Sequence, residues 1–324
     1  MISDSYGRHI EYLRLSVTDR CDFRCFYCLP RSHRAFETPN DWLNCDEIER
    51  LVNQFALLGV RHVRLTGGEP LVRKEVVEIA QRISNISGID ELSLSTNASR
   101  LSQFAKPLKA AGVSRLNISL DTINKNKFHE ITGSHLRPVL EGIECARSCG
   151  YSPIKVNMVI MRGINDDDVE AMIDYCIEQD LTLRFIETMP VGDAGRTASE
   201  QYMPLSEIET RLKKRYDLQS TALHGSGPAR YYRVDNSSLV VGFITPKSQH
   251  FCDTCNRVRL SVNGDLHLCL GQEEKLPLGS MMRNGASDQE IQQAIRQAIS
   301  RKPLKHHFVE APSAIIRPMS ALGG

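Results

Sequence analysis

The sequence has no run of about 18 consecutive apolar residues, the length of a membrane-spanning helix. Residues 1–7 also lack the basic-then-apolar pattern of a secretion signal, so we expect a soluble, cytoplasmic protein that does not enter a membrane. The net charge of +1 argues against general attraction to nucleic acid or to a membrane surface. Internal repeats and low-complexity stretches are absent as well. A chain of 324 residues can nevertheless bury a large core.

Cysteine, in contrast, is abundant, with 10 residues in the chain. Because disulfides are rare in the cytoplasm, this number of thiols points to metal binding or catalysis. Cys21, Cys25 and Cys28 share one short loop, which cannot bury three thiols apart from one another. This C-x3-C-x2-C spacing favours an iron–sulfur cluster with one open iron. A zinc site and unligated reactive thiols are the alternatives.

Short apolar runs alternate with helical patterns through the first two thirds of the chain. The runs cover residues 12–17, 62–66, 91–95, 115–120, 154–161 and 182–187. One helical face between them carries Ile48, Leu51 and Phe55, and a later one carries Val169, Met172 and Ile173. Six strand–helix units predict an α/β fold with a parallel sheet, arranged as an incomplete (β/α)6 TIM-like barrel.

Each of these strands alternates apolar with polar side chains. The polar set includes Arg14, Arg64, Ser93, Ser95, Asn117, Ser119, Lys155 and Asn157. Because helices should cover the outer face, the polar face is expected to line an internal, wet cavity that holds substrate, whereas a closed eight-stranded barrel fills its interior with apolar residues. An ordinary two-layer sheet with one solvated face is the alternative.

Beyond residue 199 the pattern changes. A helix over 205–215 and a Gly/Pro-rich linker at 224–228 precede strand-like runs at 231–234, 239–245, 258–262 and 266–270. Asn263-Gly264 predicts a hairpin turn, and a helix follows at about 288–300. We therefore expect two parts, a barrel over 1–223 and a β-rich C-terminal region over 224–324.

The C-terminal region carries a second set of thiols, Cys252, Cys255 and Cys269, on either side of the hairpin. Its spacing fits a second iron–sulfur cluster or a zinc site completed by His250 or His267. Arg257 and Arg259 between these cysteines point one way on an extended strand and suit a phosphate chain, unless they are simply solvated.

The second strand runs into Gly67-Gly68-Glu69-Pro70. Two glycines at a strand end allow close backbone approach to a ligand, and the Glu69 carboxylate can bind an amine, although such a tetrapeptide is more often a simple turn.

The first cysteine loop, with Tyr27 before its last cysteine, resembles that of the radical S-adenosylmethionine (SAM) enzymes, and GGEP resembles their GGE motif. The wider set of motifs resembles the GTP 3′,8-cyclases of molybdenum cofactor biosynthesis over essentially the full length. These motifs are Gly7-Arg8, YLRLSVTDRC at 12–21, RLTGGEP at 64–70, CDTCNRVR at 252–259, LHLC at 266–269 and the terminal Gly323-Gly324.

The resemblance implies two [4Fe-4S] clusters, on Cys21, Cys25 and Cys28 and on Cys252, Cys255 and Cys269. It implies that SAM yields a 5′-deoxyadenosyl radical, which takes hydrogen from the ribose 3′ carbon of GTP so that this carbon attacks C8 of guanine. SAM contacts would fall to Tyr27, Gly68, Ser119 and Met189. GTP contacts would fall to Arg14, Arg64, Ser95, Lys155, Arg257 and Arg259, with Arg184 a further candidate.

Catalytic roles would fall to Arg14, Arg257, Arg259 and the terminal Gly323 and Gly324, which would thread into the active site. The resemblance also implies an external electron donor and a downstream enzyme of the molybdopterin pathway that takes the product. It leaves a homodimer open.

Overall fold

The computed structural model describes residues 1–29, 32–34, 36, 38–222, 227–235 and 237–323. Its strands are β1 Tyr12–Ser16, β2 His62–Thr66, β3 Glu91–Thr96, β4 Val113–Ser119, β5 Ile154–Ile160, β6 Thr182–Glu187, β7 Leu218–Thr221, β8 Arg230–Val234, β9 Val240–Ile244, β10 Arg257–Leu260, β11 Asp265–His267 and β12 Lys275–Pro277. The α-helices of the described residues are α1 Cys45–Leu57, α2 Val76–Ser84, α3 Leu101–Ala110, α4 Lys125–Thr132, α5 Arg137–Ser148, α6 Val169–Glu178, α7 Gly192–Ala198, α8 Leu205–Arg215, α9 Leu278–Arg283 and α10 Asp288–Ser300.

One sheet contains all twelve strands, in the order β12-β11-β10-β1-β2-β3-β4-β5-β6-β9-β8-β7. The strands from β10 to β9 in this order run parallel, and the two outer strands at each end are antiparallel to their inner neighbours. The α/β class with a mostly parallel sheet is thus confirmed. No helix of the described residues is long and apolar enough to cross a membrane.

The apolar side of the parallel strands packs against helices, as the alternating pattern predicted. Leu13, Leu65 and Ile118 are fully buried in a continuous apolar core that also includes Leu51 of α1 and Ile143 of α5. Local signals agree with this packing, since Asn44 and Glu47 form a capping box at the start of α1. The polar side chains of the same strands consequently lie on the opposite face of the sheet.

The C-terminal strands join both edges of the sheet formed by β1–β6. β10 pairs with β1, and β9 pairs with β6, so the backbone groups at both edges of the six-stranded sheet find partners. The hairpin predicted at Asn263-Gly264 connects β10 to β11, and Gly264 has a φ of +87°. Residues 224–226 of the linker predicted at 224–228 lie outside the described residues, and Gly227 and Pro228 precede β8 without regular secondary structure.

Candidate active site

The first cysteine set lies in the loop that follows β1, at the carboxyl ends of the parallel strands. The Cys28 backbone N–H donates to the Cys25 carbonyl at 2.9 Å, and Phe23 packs edge-on against Phe128 of α4 at 5.8 Å between ring centroids. All three thiols line one cavity together with residues at the ends of β2, β3 and β4. Burial raises the pKa of Cys28 to about 12, so a metal must displace the proton for this thiol to act as a ligand.

The separation of the thiols bears on which metal group would fit. In the part of the chain that the structure describes, the group of His, Cys, Asp or Glu ligand atoms that lie within 4.8 Å of one another is His250, Cys252 and His306. Neither cysteine triplet belongs to such a group. Sulfurs bound to one tetrahedral zinc ion lie about 3.8 Å apart, because each Zn–S bond is about 2.3 Å long. In each triplet at least two sulfurs therefore lie more than 4.8 Å apart, which is wider than a single zinc ion requires.

Gly68 lies at the end of β2, directly against the cysteine loop. A Cβ atom at this position would collide with the Arg20 backbone carbonyl. The Gly68 N–H donates to the Thr18 carbonyl at 2.8 Å, and the Glu69 N–H donates to the Arg20 carbonyl at 2.8 Å. Glycine is thus required here for the close approach of two backbone segments, which brings the GGEP turn into the first cavity.

The Glu69 side chain is engaged within the protein. Its carboxylate accepts hydrogen bonds from the Leu71 N–H at 3.0 Å, the Thr96 hydroxyl at 2.7 Å and the Asn97 N–H at 2.6 Å. Burial raises the pKa of Glu69 to about 7, although these hydrogen bonds act to lower it. The sequence suggested that this carboxylate can bind an amine, whereas in the structure it chiefly joins the ends of β2 and β3.

The four residues predicted to contact SAM all line the cavity that contains Cys21, Cys25 and Cys28. They are Tyr27, Gly68, Ser119 and Met189. The structure adds Asp121, which accepts a hydrogen bond from the Tyr27 hydroxyl at 2.7 Å and another from the Val159 N–H at 2.8 Å. Burial raises the pKa of Asp121 to about 6. The alternating pattern of the fourth strand places Asp121 on the same polar face as Asn117 and Ser119, although the sequence assigns it no contact with SAM.

One orphaned polar atom supports a polar ligand in this first cavity. The Thr188 hydroxyl is buried and lacks a hydrogen-bond partner among the described residues. Buried polar groups are normally satisfied, so a group that completes this site would remove the deficit. The three thiols, the orphaned hydroxyl and the close glycine turn thus fit an iron–sulfur cluster with a polar organic ligand.

A second cavity adjoins the first, and the two share Asn157, Ile186 and Met189 in their walls. Cys252, Cys255 and Cys269 line this second cavity. Four of the predicted GTP contacts, Arg14, Arg64, Arg257 and Arg259, also line it. Of the other two, Ser95 lines the first cavity, whereas Lys155 lines a neighbouring recess that Arg64 and Arg184 share. The two cysteine sets therefore open onto adjoining cavities, and the arginines line the second of these.

Sheet register places three arginines side by side. Arg14 of β1 is the register partner of Arg259 on β10 and of Arg64 on β2. Burial lowers the pKa of Arg14, and the neighbouring arginines lower it further; burial also lowers the pKa of Arg259 to about 9, with help from Arg257. The Nε atom of Arg14 has no hydrogen-bond partner among the described residues. Such mutually repelling cations favour an anionic ligand.

The polar face also carries Arg184 and Lys155. Arg184 donates to the Asn157 side-chain oxygen at 2.8 Å and to that of Asn117 at 2.6 Å. Burial lowers the pKa of Lys155 to about 8, with a further contribution from Arg184. Arg184, the additional candidate for the cavity, is therefore a buried member of the same polar face.

The second cysteine set differs electrostatically from the first. Burial raises the pKa of Cys255, but Arg257 and Lys302 outweigh this effect and lower it to about 6. The Cys252 thiol lies within 4.8 Å of ring nitrogens of His250 and His306. His267, the other histidine considered for zinc, is buried in β11 and is not part of this group.

The C-terminal tail ends beside the GGEP turn. Arg259 donates to the Gly323 carbonyl and, at 3.2 Å, to the Leu322 carbonyl. Gly323 has a φ of +68°, and a Cβ atom there would collide with the side chain of Thr66, the last residue of β2. Gly323 therefore lies between β2 and the arginine row, and Gly324 lies outside the described residues.

Comparison with known proteins accounts for nearly the whole chain. Residues 15–176 match the family model "Radical SAM superfamily", and residues 181–308 match "Molybdenum Cofactor Synthesis C". Among solved structures, Streptococcus suis SuiB bound to the precursor peptide SuiA is similar in fold, with a TM-score of 0.60 and 15% identity. That match covers 95% of this chain and 67% of SuiB.

Curated relatives are much closer in sequence. A GTP 3′,8-cyclase of Hydrogenovibrio crunogenus is 43% identical, with 99% of each chain covered. Another, of Pelotomaculum thermopropionicum, is 44% identical, with 100% of each chain covered. The protein is therefore a member of the GTP 3′,8-cyclase family within the radical SAM superfamily.

Proposed function

We propose that this protein catalyses the first step of molybdenum cofactor biosynthesis, the conversion of GTP to (8S)-3′,8-cyclo-7,8-dihydroguanosine 5′-triphosphate. The observation that carries the proposal is the row formed by Arg64, Arg14 and Arg259, which lines the cavity of the second cysteine set next to the cavity of the first. A triphosphate is the kind of anion that such a row binds, because guanidinium groups pair with phosphate oxygens in a bidentate manner.

The first cavity would hold the radical-generating cofactors. Cys21, Cys25 and Cys28 would bind a [4Fe-4S] cluster, which would supply the position where SAM binds. Tyr27, Gly68, Ser119 and Met189 would hold SAM against it. When bound, this pair supplies a 5′-deoxyadenosyl radical that abstracts hydrogen from the ribose 3′ carbon. An external reductant must provide the electron, since the redox chemistry belongs to the cofactor and the protein supplies position and electrostatics.

The second cavity would hold the substrate. Cys252, Cys255 and Cys269 would bind a second [4Fe-4S] cluster, which would supply a binding position for the guanine. Arg14, Arg64, Ser95, Lys155, Arg257 and Arg259 would bind the rest of GTP, and Arg184 would hold the polar face around it. The shared wall at Met189 would bring the ribose towards the first cavity. Fixing both reactants in this way removes most of the entropy cost of the encounter.

The architecture that we propose is an incomplete (β/α)6 barrel over 1–223, with a cluster-binding region over 224–324. The inward polar face of β1–β5 supports this proposal. The β10–β11 hairpin would bring the second cluster to the side of the barrel, next to Arg14. The tail residues Gly323 and Gly324 would contribute to catalysis beside Arg259. A downstream enzyme would then receive the product.

The function is tested under anaerobic conditions with the full chain reconstituted with iron and sulfide. GTP, SAM and a reductant are added, and 5′-deoxyadenosine and the cyclised nucleotide are quantified. We expect both products to form together and to depend on GTP. Cleavage of SAM without dependence on GTP would point to another radical SAM activity, such as peptide modification, and no SAM cleavage would point to a non-catalytic metal-binding protein.

The second cysteine set can be tested by Cys255→Ser. We expect this variant to retain the iron of the first cluster but to lose the second cluster, most cyclisation and the GTP-dependent cleavage of SAM, because guanine is no longer held. Iron and sulfide per chain and the yield of both products are the measurements. Cyclisation at the wild-type rate would contradict the role assigned to this set. Stoichiometric zinc in the wild-type protein would instead indicate a zinc site formed by His250, Cys252 and His306.

A further inference from the structure

Two buried cations lie behind the second cysteine set. Arg8 comes from the N-terminal segment and has 7% of its surface exposed, whereas Lys302 follows α10 and has 2% exposed. Lys302 lines the second cavity together with Cys252, Cys255 and Cys269. Arg8 belongs to the Gly7-Arg8 element of the cyclase-like motifs, whereas Lys302 lies outside them, and neither is among the predicted site residues.

Each backbone segment that carries a cysteine of this set, here called a cysteine arm, accepts a hydrogen bond from one of these cations. Arg8 Nη1 donates to the backbone carbonyl of Cys252 itself at 2.8 Å. Lys302 Nζ donates to the carbonyl of Arg257, two residues after Cys255, at 3.0 Å. The same ammonium donates to the carbonyl of Leu268, directly before Cys269. Two side chains thus fix the backbone beside all three thiols.

The two cations also hold each other's segments. Arg8 donates to the carbonyls of Pro303 at 2.7 Å and Leu304 at 2.9 Å, the two residues that follow Lys302. Asp4 in turn binds Arg8, with 2.5 Å between Nε and Oδ2, and accepts from the Arg8 N–H at 3.0 Å. The N-terminal segment, the C-terminal segment and the hairpin are therefore joined at one point.

Within the part of the chain that the structure describes, the charge of Lys302 is not balanced by a carboxylate. Arg8 pairs with Asp4, but no carboxylate forms an ion pair with Lys302 among the residues described. A buried charge is expensive unless it is paired. The groups that share its cavity are thiols, which become anionic when they bind metal. An anionic metal group in this cavity would supply the missing negative charge.

We propose that Arg8 and Lys302 are positioning residues, here called the cationic clamp, that hold the three cysteine arms and balance the charge of the second iron–sulfur cluster. This inference rests on the function proposed above. Arg8 fixes the Cys252 arm, and Lys302 fixes the other two and provides the uncompensated charge. Because net charge and hydrogen bonding set the potential of a cluster, Lys302 favours the reduced, more negative state.

The test isolates the second cluster in a full-length variant in which Cys21, Cys25 and Cys28 are all alanine. Lys302→Met removes charge and donors, Lys302→Gln removes the charge but keeps an N–H donor, and Lys302→Arg keeps both. Lys305→Met is the matched control, because Lys305 is exposed and pairs with Glu310 at 2.8 Å. The readouts are iron retained against a chelator and the midpoint potential of the cluster, with circular dichroism confirming the fold.

We expect Lys302→Met to lose iron about tenfold faster or more, the usual effect of removing a partner of the ligands. The midpoint potential should become more negative in Lys302→Met and in Lys302→Gln, and remain unchanged in Lys302→Arg and Lys305→Met. An unchanged rate of iron loss and an unchanged midpoint potential in Lys302→Met would overturn the role of the clamp but leave the proposed function untouched. Absence of iron in the parent cysteine variant would overturn the second cluster itself, and the clamp with it.

Discussion

Replacement of Cys25 by alanine is expected to reduce SAM cleavage and cyclisation to background. Cys25 is one of three thiols in the first cavity, and its pKa is raised by burial, so it gains a function only as a metal ligand. With two ligands left, the cluster cannot be held with one open iron for SAM. The measurements are iron and sulfide per chain, the visible absorption of the cluster and the yield of 5′-deoxyadenosine.

Cys149→Ser is the matched control for this loss. Cys149 lies at the end of α5, outside both cavities, and we expect the variant to keep both clusters and the wild-type yield. SAM cleavage by Cys25→Ala at a rate near that of Cys149→Ser would show that the first cysteine set is not the site of radical generation.

Gly323→Ala is expected to reduce cyclisation about 100-fold while leaving both clusters and the overall fold in place. A Cβ atom at this position collides with Thr66, and its relief must displace the tail from the Arg259 guanidinium that binds it. Displacements of about 1 Å near a reaction centre can cost about 100-fold in rate. The measurements are kcat for cyclisation, the iron content per chain and the circular dichroism spectrum, each compared with the wild-type protein.

Gly150→Ala controls for the backbone effect of this change. Gly150 has a similar φ of +76°, but nothing lies within 4 Å of its added Cβ atom. Both substitutions place alanine in the left-handed region, which costs about 1–2 kcal/mol of stability. A difference in cyclisation activity between the two variants therefore reports the contact of the tail with Thr66. Equal cyclisation activity of the two variants would show that the tail has no catalytic role.

Much of the central sheet could be predicted from the sequence because its signals are local. The alternation of Leu13 and Leu15 with Arg14 identifies a strand and its two faces without knowledge of its neighbours. The same is true of α8 and α10, which the structure places at the predicted residues. The strands β7 and β12 were missed, since both are short and largely exposed and carry little apolar pattern.

Long-range pairing was beyond the reach of such signals. Nothing in the sequence of β10 states that it pairs with β1, more than two hundred residues away, yet this pairing aligns Arg259 with Arg14. Lys302 looks like an ordinary surface charge in the sequence, and the motif that contains Arg8 assigns it no contact. Only the structure shows both side chains buried against the second cysteine set. Glu69 is the reverse case, because its motif drew attention to a ligand while its carboxylate is bound mainly by Thr96 and Asn97.

The most direct test of the central claim follows a single hydrogen atom. GTP deuterated at the ribose 3′ carbon is incubated with the reconstituted protein, SAM and a reductant, and the 5′-deoxyadenosine is analysed by mass spectrometry. If the two cavities place SAM and GTP as proposed, the 5′-deoxyadenosine carries the deuterium, and the cyclised nucleotide has lost it. Cyclised nucleotide formed alongside unlabelled 5′-deoxyadenosine would contradict hydrogen abstraction from the 3′ carbon and the arrangement of the site built on it.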